Sequence, residues 1–393
     1  MLFLYVILTI SMSLLLIAGI VEKRHHVANL NAIAFRVLVN GIRGKSSITR
    51  LCAGALRGGK LRVTAKTTGT AARFIFPDGT EQPVFRKFNI ANVAEQIVIV
   101  RQAAAEHSDA LVLECMAIDP ALQEVNQAEL VRANIGVLCN VREDHLAEMG
   151  PTLEDVARSL SRSMPHRGVC ITAERHFYSV LKEEADRRDC RLIYANPDSV
   201  TDAEMEGFRY FTFKENVAIA LAVASQAGIG REAAFRAMWE AAPDPGVLSV
   251  ERYRVAGKTL TLANIFAAND PNSTVMNFET LLNAKAIKPP IFVLINCRPD
   301  RVERNGQMGE IVPDLQAEKL FLIGHPSRSA TATVPSTWKG KVIDLAGLDR
   351  SGEEIFRAVM AEIEQEASLI AIGNIHGQGE MLLEHLEELG ELR

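Results

Sequence analysis

The stretch Phe35-Arg-Val-Leu-Val-Asn-Gly-Ile-Arg-Gly-Lys-Ser46 decides how this chain is read. An apolar, β-prone run stops at a glycine turn, and Gly44-Lys45-Ser46 then opens a helix, which is the order of a phosphate-binding loop. Backbone N–H groups and the helix N-terminus would surround the phosphates, and Lys45 would reach the β- and γ-phosphate oxygens. The Ser46 hydroxyl would ligate Mg²⁺. The form is the short GxxGKS, because the first glycine of GxxxxGK[ST] would fall on Val39; a chance Gly-Lys-Ser in a loop is the alternative.

Composition limits the class of protein. The chain has 393 residues, 48% hydrophobic and 23% charged, which is ordinary for a globular protein of about two domains. A net charge of −5 gives no overall attraction to nucleic acid. The six cysteines include no CxxC pair, so buried free thiols in a reducing compartment are expected rather than a zinc site.

Residues 1–21 carry no charge and are followed by Glu22-Lys-Arg-His-His26. Such a run is long enough to cross about 30 Å of hydrocarbon as a helix. No basic segment precedes it and no small-x-small cleavage site ends it, so a removable signal peptide is disfavoured. Lys23 and Arg24 predict a single-pass anchor over residues 1–24 in the cytoplasmic (inner) membrane, with the body in the cytoplasm. A buried N-terminal helix is the alternative.

Strand-like and helix-like segments alternate after the anchor, which predicts a doubly wound α/β sheet over residues 33–246. Pro243-Asp-Pro-Gly246 breaks the chain, and a hairpin and a second βα alternation predict another α/β domain over residues 247–393. The predicted strands are Phe35–Asn40, Leu61–Thr64, Ala110–Glu114, Ile135–Asn140, Gly168–Thr172, Tyr253–Ala256, Thr259–Ala263, Ile291–Asn296, Leu320–Gly324 and Leu369–Gly373. The predicted helices include Ser46–Leu56, Asn92–Glu106, Leu122–Val131, Leu153–Ser163, Glu215–Ala227, Arg231–Ala241, Glu353–Glu366 and Met381–Leu389.

Polar residues follow several of these strands, at the edge of the sheet where ligands bind in α/β proteins. Glu114 ends one apolar strand, and Asp144 and His145 follow the next. A carboxylate there suits Mg²⁺ or Mn²⁺, and His145 would complete a second metal position that favours Mn²⁺ as a tolerated ion. Taken singly, these are ordinary loop residues; their placement together at successive strand ends favours the metal site.

These residues resemble those of the Mur-type amide ligases. The similarity rests on Gly41-Ile-Arg-Gly-Lys-Ser46, Glu114, Asn140 with Asp144-His145, Asn216 at the start of a helix, Phe266-Ala-Ala-Asn-Asp-Pro-Asn-Ser273 and Gly373-Asn-Ile-His-Gly377. It implies a Mur-ligase-like P-loop domain, a smaller Rossmann-like C-terminal domain, ATP and Mg²⁺ at Lys45 and Ser46, a second metal at Glu114 and His145, and adenine at Asn216. The predicted nucleotide site comprises Asn40, Gly41, Arg43, Gly44, Lys45, Ser46, Ser47, Lys66, Thr67 and Asn216.

Within that superfamily, further segments look like the membrane-anchored ligase subunits of poly-γ-glutamate synthases: Lys66-Thr-Thr-Gly-Thr70, Glu114-Cys-Met-Ala117, Ala242-Pro-Asp-Pro-Gly246 and Asn296-Cys-Arg-Pro-Asp-Arg301. The resemblance implies that ATP activates the γ-carboxyl of glutamate as an acyl phosphate, which an amine then attacks. Arg298 and Arg301, with Arg304, are the predicted cations for the anionic substrate, and Arg43, Lys66 and Arg73 are placed nearer the phosphates. Expected partners are glutamate and the growing polymer, a multispanning membrane protein, accessory subunits of a synthase complex, and further copies of this chain.

The chain departs from the Mur pattern in three places, and the first of them argues against a UDP-linked substrate. Only about thirty residues precede the first strand, so the domain that holds a UDP-linked precursor is expected to be absent. Phe266 replaces the aspartate expected at the ribose, and no match for the modified lysine of the family is evident; Lys214 lies in a different context. Three alternatives stay open: a folylpolyglutamate synthase-like ligase, a membrane-tethered assembly ATPase, and a degenerate scaffold subunit.

Overall fold

The computed structural model describes residues 2–68, 72–84, 92–208, 210, 212–243, 248–266, 268, 270–283, 285–347 and 350–390. The chain divides into two compact units, Met1–Asp244 and Pro245–Arg393. Several residues of the predicted motifs lie outside the described part, namely Gly69, Thr70, Asp244, Pro245, Gly246, Ala267 and Asn269.

The first unit begins with helix α1, Leu2–Asn31. By length and composition alone, α1 is long and apolar enough to cross a membrane, and its residues 3–21 are exposed. The last turns of the same helix belong to the body, because Leu30 and the following Ile33 are buried in one of its cores. The predicted segment 1–24 is therefore the outer part of a longer, unbroken helix.

A mixed sheet forms the centre of the first unit. Its strands are β1 (Phe35–Asn40), β2 (Val63–Lys66), β3 (Arg73–Ile75), β4 (Glu81–Pro83), β5 (Ala110–Glu114), β6 (Ile135–Leu138), β7 (Val169–Thr172) and β8 (Arg191–Tyr194), in the order β4-β3-β2-β5-β1-β6-β7-β8. β1 lies between β5 and β6, parallel to both, with Val39 opposite Glu114 and Asn40 opposite Leu138. Val37, Leu38 and Val39 are fully buried, as a central parallel strand requires.

Helices cover both faces of this sheet. They are α2 (Lys45–Arg57), α3 (Glu95–Ala105), α4 (Pro120–Val125), α5 (Leu146–Met149), α6 (Leu153–Leu160), α7 (Tyr178–Arg187), α8 (Asp202–Met205), α9 (Lys214–Gln226) and α10 (Arg231–Glu240). A π-helical turn, Asn126–Val131, continues α4, and short 3₁₀ turns occupy Ser161–Ser163 and Pro197–Ser199. On one face, α2 packs between the sheet and the α9–α10 pair.

The second unit is a smaller α/β layer structure. Its strands are β9 (Ser249–Val255), β10 (Lys258–Asn264), β11 (Ile291–Cys297), β12 (Lys319–Gly324), β13 (Lys341–Asp344) and β14 (Glu366–Gly373), in the order β13-β12-β11-β14-β10-β9. Its helices are α11 (Pro271–Asn283), α12 (Val302–Glu310), α13 (Arg328–Thr331), α14 (Gly352–Ala361) and α15 (Gln378–Leu389), with a 3₁₀ turn at Pro299–Arg301. β9 and β10 form the predicted antiparallel hairpin, and the other neighbouring strands pair in parallel.

Some predicted boundaries were wrong. The helix predicted over Glu353–Glu366 ends at Ala361, and Glu366 already begins β14, because the charged residues between them belong to a tight connection. β2 starts and ends two residues later than Leu61–Thr64, so Lys66 is part of the strand. The helix predicted over Asn92–Glu106 starts at Glu95.

Candidate active site

Two glycines, Gly41 and Gly44, shape the loop between β1 and α2. Gly41 has φ 137° and Gly44 has φ 78°, which is the region that glycine adopts without strain. A Cβ on Gly41 would lie 2.8 Å from the Cβ of Cys139, so only glycine fits against the end of β6. Gly44 is the N-cap residue of α2, and no side chain of the described residues bonds to the first N–H groups of this helix. The first-turn N–H groups of α2 are thus left for an anion, as in phosphate-binding loops.

Asn140, just after β6, fixes the loop from the side. Its Oδ1 accepts a hydrogen bond from the Arg43 N–H at 3.0 Å, and its Nδ2 donates to the Arg43 carbonyl at 3.0 Å. Its own carbonyl accepts from Ile42 N–H at 3.4 Å. One side-chain amide therefore binds both backbone groups of Arg43 in the middle of the loop, which limits how far the loop can move.

Asn40, predicted to bind the nucleotide, is used inside the protein. Its Nδ2 donates to Gln123 Oε1 at 2.8 Å and to Ser163 Oγ at 3.0 Å, and its Oδ1 accepts from Gly41 N–H at 2.9 Å. The side chain is buried. In this structure Asn40 braces the start of the loop and has no remaining donor for a ligand.

Lys45 and Asn216 both lie at the loop. Lys45 Nζ donates to the carbonyls of Gly41 at 2.8 Å and Ile42 at 3.3 Å, so the ammonium is folded back over the loop. The Asn216 side chain, on the first turn of α9, lies beside Gly44: a Cβ there would be 3.7 Å from Asn216 Oδ1. Lys45 and Asn216 are 171 positions apart in the sequence, and the fold brings both to the same glycine-rich turn.

Ser46 and Glu114 form a direct pair at the carboxyl end of β5. Ser46 Oγ donates to Glu114 Oε2 at 2.7 Å, and the Thr68 N–H donates to the same oxygen at 2.7 Å. Glu114 is 3% exposed, but it keeps its second carboxylate oxygen, Oε1, free of hydrogen bonds among the described residues. A hydroxyl and a carboxylate oxygen beside a phosphate loop form the hard donor set that suits Mg²⁺ or Mn²⁺.

His145 is not joined to Glu114 by any contact in the described part of the chain. It caps the short helix α5 with φ 50°, and its Nε2 lies 3.6 Å from Asp144 Oδ1. Asp144 also meets Arg43, at 3.5 Å. Among the described residues, no three His, Cys, Asp or Glu side chains converge on one point. The second metal position at Glu114 and His145 stays a prediction.

Lys66 and Thr67, predicted near the phosphates, are fully buried. Lys66 forms an ion pair with Glu95, at the start of α3. Thr67 exchanges hydrogen bonds with Arg73, its N–H donating to the Arg73 carbonyl at 2.9 Å and its Oγ1 accepting from the Arg73 N–H at 3.1 Å. In this structure both residues tie β2 to its neighbours and neither is presented to a ligand. Ser47 is half-buried in the first turn of α2.

Two cysteine thiols lie close to the site without being reactive. Burial raises the pKa of Cys139 to about 12 and also raises the pKa of Cys115, the residue after Glu114. Both stay protonated at neutral pH, so neither provides a thiolate for a metal or for covalent catalysis. All six cysteines are buried and unpaired, as the sequence predicts.

The second unit places the predicted arginines at the carboxyl end of β11. Arg298 makes a bidentate pair with Asp300, through Nε at 2.9 Å and Nη2 at 2.8 Å. Arg301 is half-exposed, and its Nε lies 3.8 Å from the same carboxylate. Asn305 holds the backbone of Arg298 on both sides, accepting from its N–H at 3.3 Å and donating to its carbonyl at 2.9 Å. The fork of Arg298 is thus already set to bind a carboxylate.

Residues that the sequence reasoning missed brace this second edge. Asn296, buried at the end of β11, donates to the carbonyls of Asn374 at 2.6 Å and His376 at 2.9 Å. Gln378 accepts from Gly324 N–H at 2.7 Å and donates to the Gly347 carbonyl at 2.6 Å. Both amides join loops that are far apart in sequence. The available signal was their position, since each is a polar residue directly beside a strand end or a glycine.

Family profiles match both units. The profile of the Mur ligase middle domain matches residues 39–228, which include the phosphate loop, Glu114 and His145. The profile of the poly-gamma-glutamate synthase CapB C-terminal domain matches residues 250–389.

Two curated relatives are similar over almost the whole chain. The capsule biosynthesis protein CapB of Bacillus anthracis is 38% identical over 383 residues, covering 95% of this chain and 81% of the relative. The chain belongs to the CapB family. A second CapB, the PGA synthase of Bacillus subtilis (strain 168), is 35% identical, with 97% of this chain and 98% of that protein covered.

A solved structure supports the architecture of this CapB-family chain. The folylpolyglutamate synthase/dihydrofolate synthase of Yersinia pestis, complexed with AMPPNP and a Mn ion, superposes with a TM-score of 0.64 at 14% identity, covering 93% of this chain and 92% of that one. At this identity the likeness shows the fold alone. It confirms the predicted Mur-ligase-type α/β architecture. The match to the Mur ligase middle domain and to the PGA synthase shows that the family is one of ATP-dependent ligases.

Proposed function

We propose that this protein is an ATP-dependent amide ligase that polymerises glutamate into poly-γ-glutamate, for a capsule or a secreted polymer. The observation that carries the proposal is the Lys45, Ser46 and Glu114 arrangement on a glycine-capped helix, in a chain that matches CapB proteins over nearly its full length. A degenerate scaffold would have no need to keep this arrangement.

The chemistry follows from what the loop can hold. The glycine-rich loop and the first N–H groups of α2 would hold the triphosphate of ATP, and Lys45 would turn from the loop carbonyls to the β- and γ-phosphates. The γ-carboxylate of glutamate attacks the γ-phosphorus and ADP leaves, giving a γ-glutamyl phosphate. An amine then attacks the acyl carbon, phosphate leaves, and the amine loses a proton. Positioning and charge neutralisation provide most of the acceleration in such transfers.

Ser46 and Glu114 are the residues that would hold a divalent ion, Mg²⁺ or Mn²⁺. A bound ion there neutralises charge on the phosphates. One hydroxyl and one carboxylate suffice, because Mg²⁺ is usually bound by one or two carboxylates together with substrate phosphates and water. His145 remains the proposed second ligand.

Arg298 and Arg301 are the proposed binding residues for the glutamate or for the growing chain end. The bidentate pair of Arg298 with Asp300 supports this, since a substrate carboxylate can take the position that Asp300 occupies. The protein has an overall charge of −5, so binding of an anionic polymer depends on local cations such as these.

We further propose that α1 anchors the protein in the cytoplasmic membrane, with the catalytic body in the cytoplasm. Its exposed apolar residues and the Lys23-Arg24 pair support this. A polymer made on the inner side must leave the cell, which implies a complex with a multispanning membrane protein and accessory subunits. Self-association of the chain is compatible with such a complex.

The test is ADP release by membranes that carry the protein together with its complex, with and without glutamate. We expect glutamate-stimulated release with formation of γ-linked polymer, and loss of both in Lys45→Ala. Lys182→Ala is the matched control, because Lys182 is an exposed lysine of α7 that pairs with Asp186 on the surface. Release that ignores glutamate, with no polymer, would replace the ligase by a membrane-tethered ATPase. Ligation of glutamate to a folate would instead support a folylpolyglutamate synthase-like enzyme.

A further inference from the structure

Helix α4 and the π-helical turn that continues it are built inside out. Their buried side carries amides: Gln123 and Asn126 are 0% exposed and Gln127 is 3% exposed. The outward side of α4 carries Ala121, Leu122 and Val125; with Ile118, just before the helix, they form what we call the apolar face, and all four side chains are exposed. A surface helix of a soluble domain shows the opposite pattern, with its apolar stripe inward.

The buried amides hold this orientation. Gln123 donates to the Ile118 carbonyl at 2.7 Å and accepts from Asn40 at 2.8 Å. Asn126 Nδ2 donates to Cys115 Sγ at 3.4 Å, and Gln127 Nε2 donates to the Ala133 carbonyl at 3.0 Å. Turning the helix to bury Leu122 and Val125 would break these hydrogen bonds. Buried polar groups that lose their partners cost free energy. The apolar face is therefore a fixed part of the surface.

The π-helical turn that follows α4 lies beside α1, and the two segments run in the same sense. The carbonyls of Leu30 and Arg132 both accept from Arg36, each at 3.0 Å. His26 Nε2 donates to the Leu130 carbonyl at 2.9 Å, and Lys23 Nζ lies 3.5 Å from Glu129 Oε2. Residues with lower numbers in α1 thus contact residues with lower numbers in the segment 129–132, so the two segments run in the same direction.

This common direction determines where the apolar face lies relative to the uncharged part of α1. From Lys23 to Val21 the helix rises about 3 Å, whereas from Glu129 to Leu122 it rises about 10 Å. Even if the helices cross at about 50°, the second rise projects to about 7 Å along α1. Leu122 is therefore at or beyond the level at which the uncharged segment of α1 begins.

From this placement we infer that the apolar face of α4 rests in the interfacial layer of the lipid bilayer, and that the carboxyl edge of the first sheet faces the membrane. α4 begins six residues after Glu114, at the edge that carries the phosphate loop, and runs away from that edge. The inference rests on the proposed anchoring by α1. It places the nucleotide site on the membrane side of the body, where a polyanionic product can pass directly to a membrane partner.

The test uses the full-length protein in vesicles of phosphatidylethanolamine and phosphatidylglycerol. Ala121→Cys places a thiol on the apolar face, and Ala105→Cys places one at the exposed far end of α3, at the opposite edge of the sheet. Both are alanine-to-cysteine changes, and the six native cysteines are buried. Each thiol is labelled with a nitroxide, and collisions with dissolved oxygen and with a water-soluble nickel chelate are measured by electron paramagnetic resonance.

We expect the label at position 121 to gain oxygen collisions and lose nickel collisions when vesicles are present, while the label at position 105 stays accessible to nickel. Two water-exposed labels on a protein that floats with the vesicles would overturn the inference and leave the anchoring intact. A protein that does not float would overturn both. The label at position 121 could instead be shielded from both reagents, and only when a membrane protein co-purifies. That result would show that the apolar face binds this protein, and it would contradict contact with the lipid bilayer. Glutamate-dependent ADP release in each variant tests the ligase separately.

Discussion

The carboxyl edges of the two sheets are organised in opposite ways. In the first unit the first N–H groups of α2, at the end of the phosphate loop, are left open, and the Ser46–Glu114 pair beside them supplies two oxygen donors for an ion whose coordination phosphates and water would complete. In the second unit the charged groups are already paired, with Arg298 on Asp300, and amides such as Asn296 and Gln378 tie neighbouring loops together.

The difference indicates a division of labour. An edge with open N–H groups and hard oxygens suits a polyphosphate and its metal ion. An edge with a preformed arginine fork suits a carboxylate, which can replace the internal one. Variants at the first edge should therefore change the chemical step and ATP binding, and variants at the second edge should change glutamate binding.

The largest effect is expected for Glu114→Gln, which keeps the shape of the side chain and removes its charge. Loss of the ion ligand should lower kcat by about 100-fold or more, because charge stabilisation dominates phosphoryl transfer. The KM for glutamate should stay near its original value. Steady-state ADP release at several Mg²⁺ and Mn²⁺ concentrations measures both. Glu232→Gln, at an exposed position of α10, is the control. An unchanged kcat would remove Glu114 from the metal site.

The next effect is expected at the second edge. Arg298→Ala should raise the KM for glutamate about tenfold, which corresponds to the loss of about 1.4 kcal/mol from charge-assisted bonds. Asp300→Asn should lower the same KM, because it frees the arginine fork. The KM for ATP should not change in either variant. Arg357→Ala, on the exposed face of α14, is the control. Two variants that move the KM for glutamate in the same direction would contradict the proposed exchange of carboxylates.

A matched pair of asparagines compares the bracing of the two edges. Asn140→Ala removes the two bonds to Arg43 and should raise the KM for ATP several-fold, because the phosphate loop becomes less ordered. Asn296→Ala removes the bonds to Asn374 and His376 and should raise the KM for glutamate instead. Each loss leaves backbone groups without a partner, at a cost of about 1–3 kcal/mol. Equal effects of both variants on both KM values would show that the division between the edges is false.

The first edge could be predicted from sequence because its signals are local. A β-prone run, a glycine turn and Lys45-Ser46 define the loop within twelve residues, and the rule that strand ends meet at one edge placed Glu114 beside it. The parallel pairing of β1 with β5 then makes Ser46 and Glu114 hydrogen-bonding partners. The same local reasoning found the hairpin of the second unit.

Other parts depend on contacts that no local pattern encodes. Lys66 was predicted near the phosphates; in the structure β2 extends to Lys66, which is buried and pairs with Glu95. The clamps made by Asn140 and Asn296 depend on which loops the sheets bring together. Leu122–Val131 was correctly predicted as helical, but Leu122 and Val125 face outward, because the buried amide of Gln123 fixes the helix the other way.

The smallest effect concerns a charge behind the first edge. Glu124 on α4 bonds with Arg188 and lies near His166 and Arg162; burial alone would raise its pKa, but these cations outweigh burial and hold the pKa below its ordinary value of 4.5. A folded-state pKa below the unfolded one stabilises the fold above the unfolded pKa, and this contribution is lost as the pH falls through the folded value. The free energy of unfolding of the wild type should therefore exceed that of Glu124→Gln at pH 7, and the difference should shrink below about pH 4.5. Urea unfolding followed by circular dichroism at both pH values measures it, with Glu232→Gln as the exposed control. A difference that stays constant with pH would show that Glu124 contributes through packing and not through its charge.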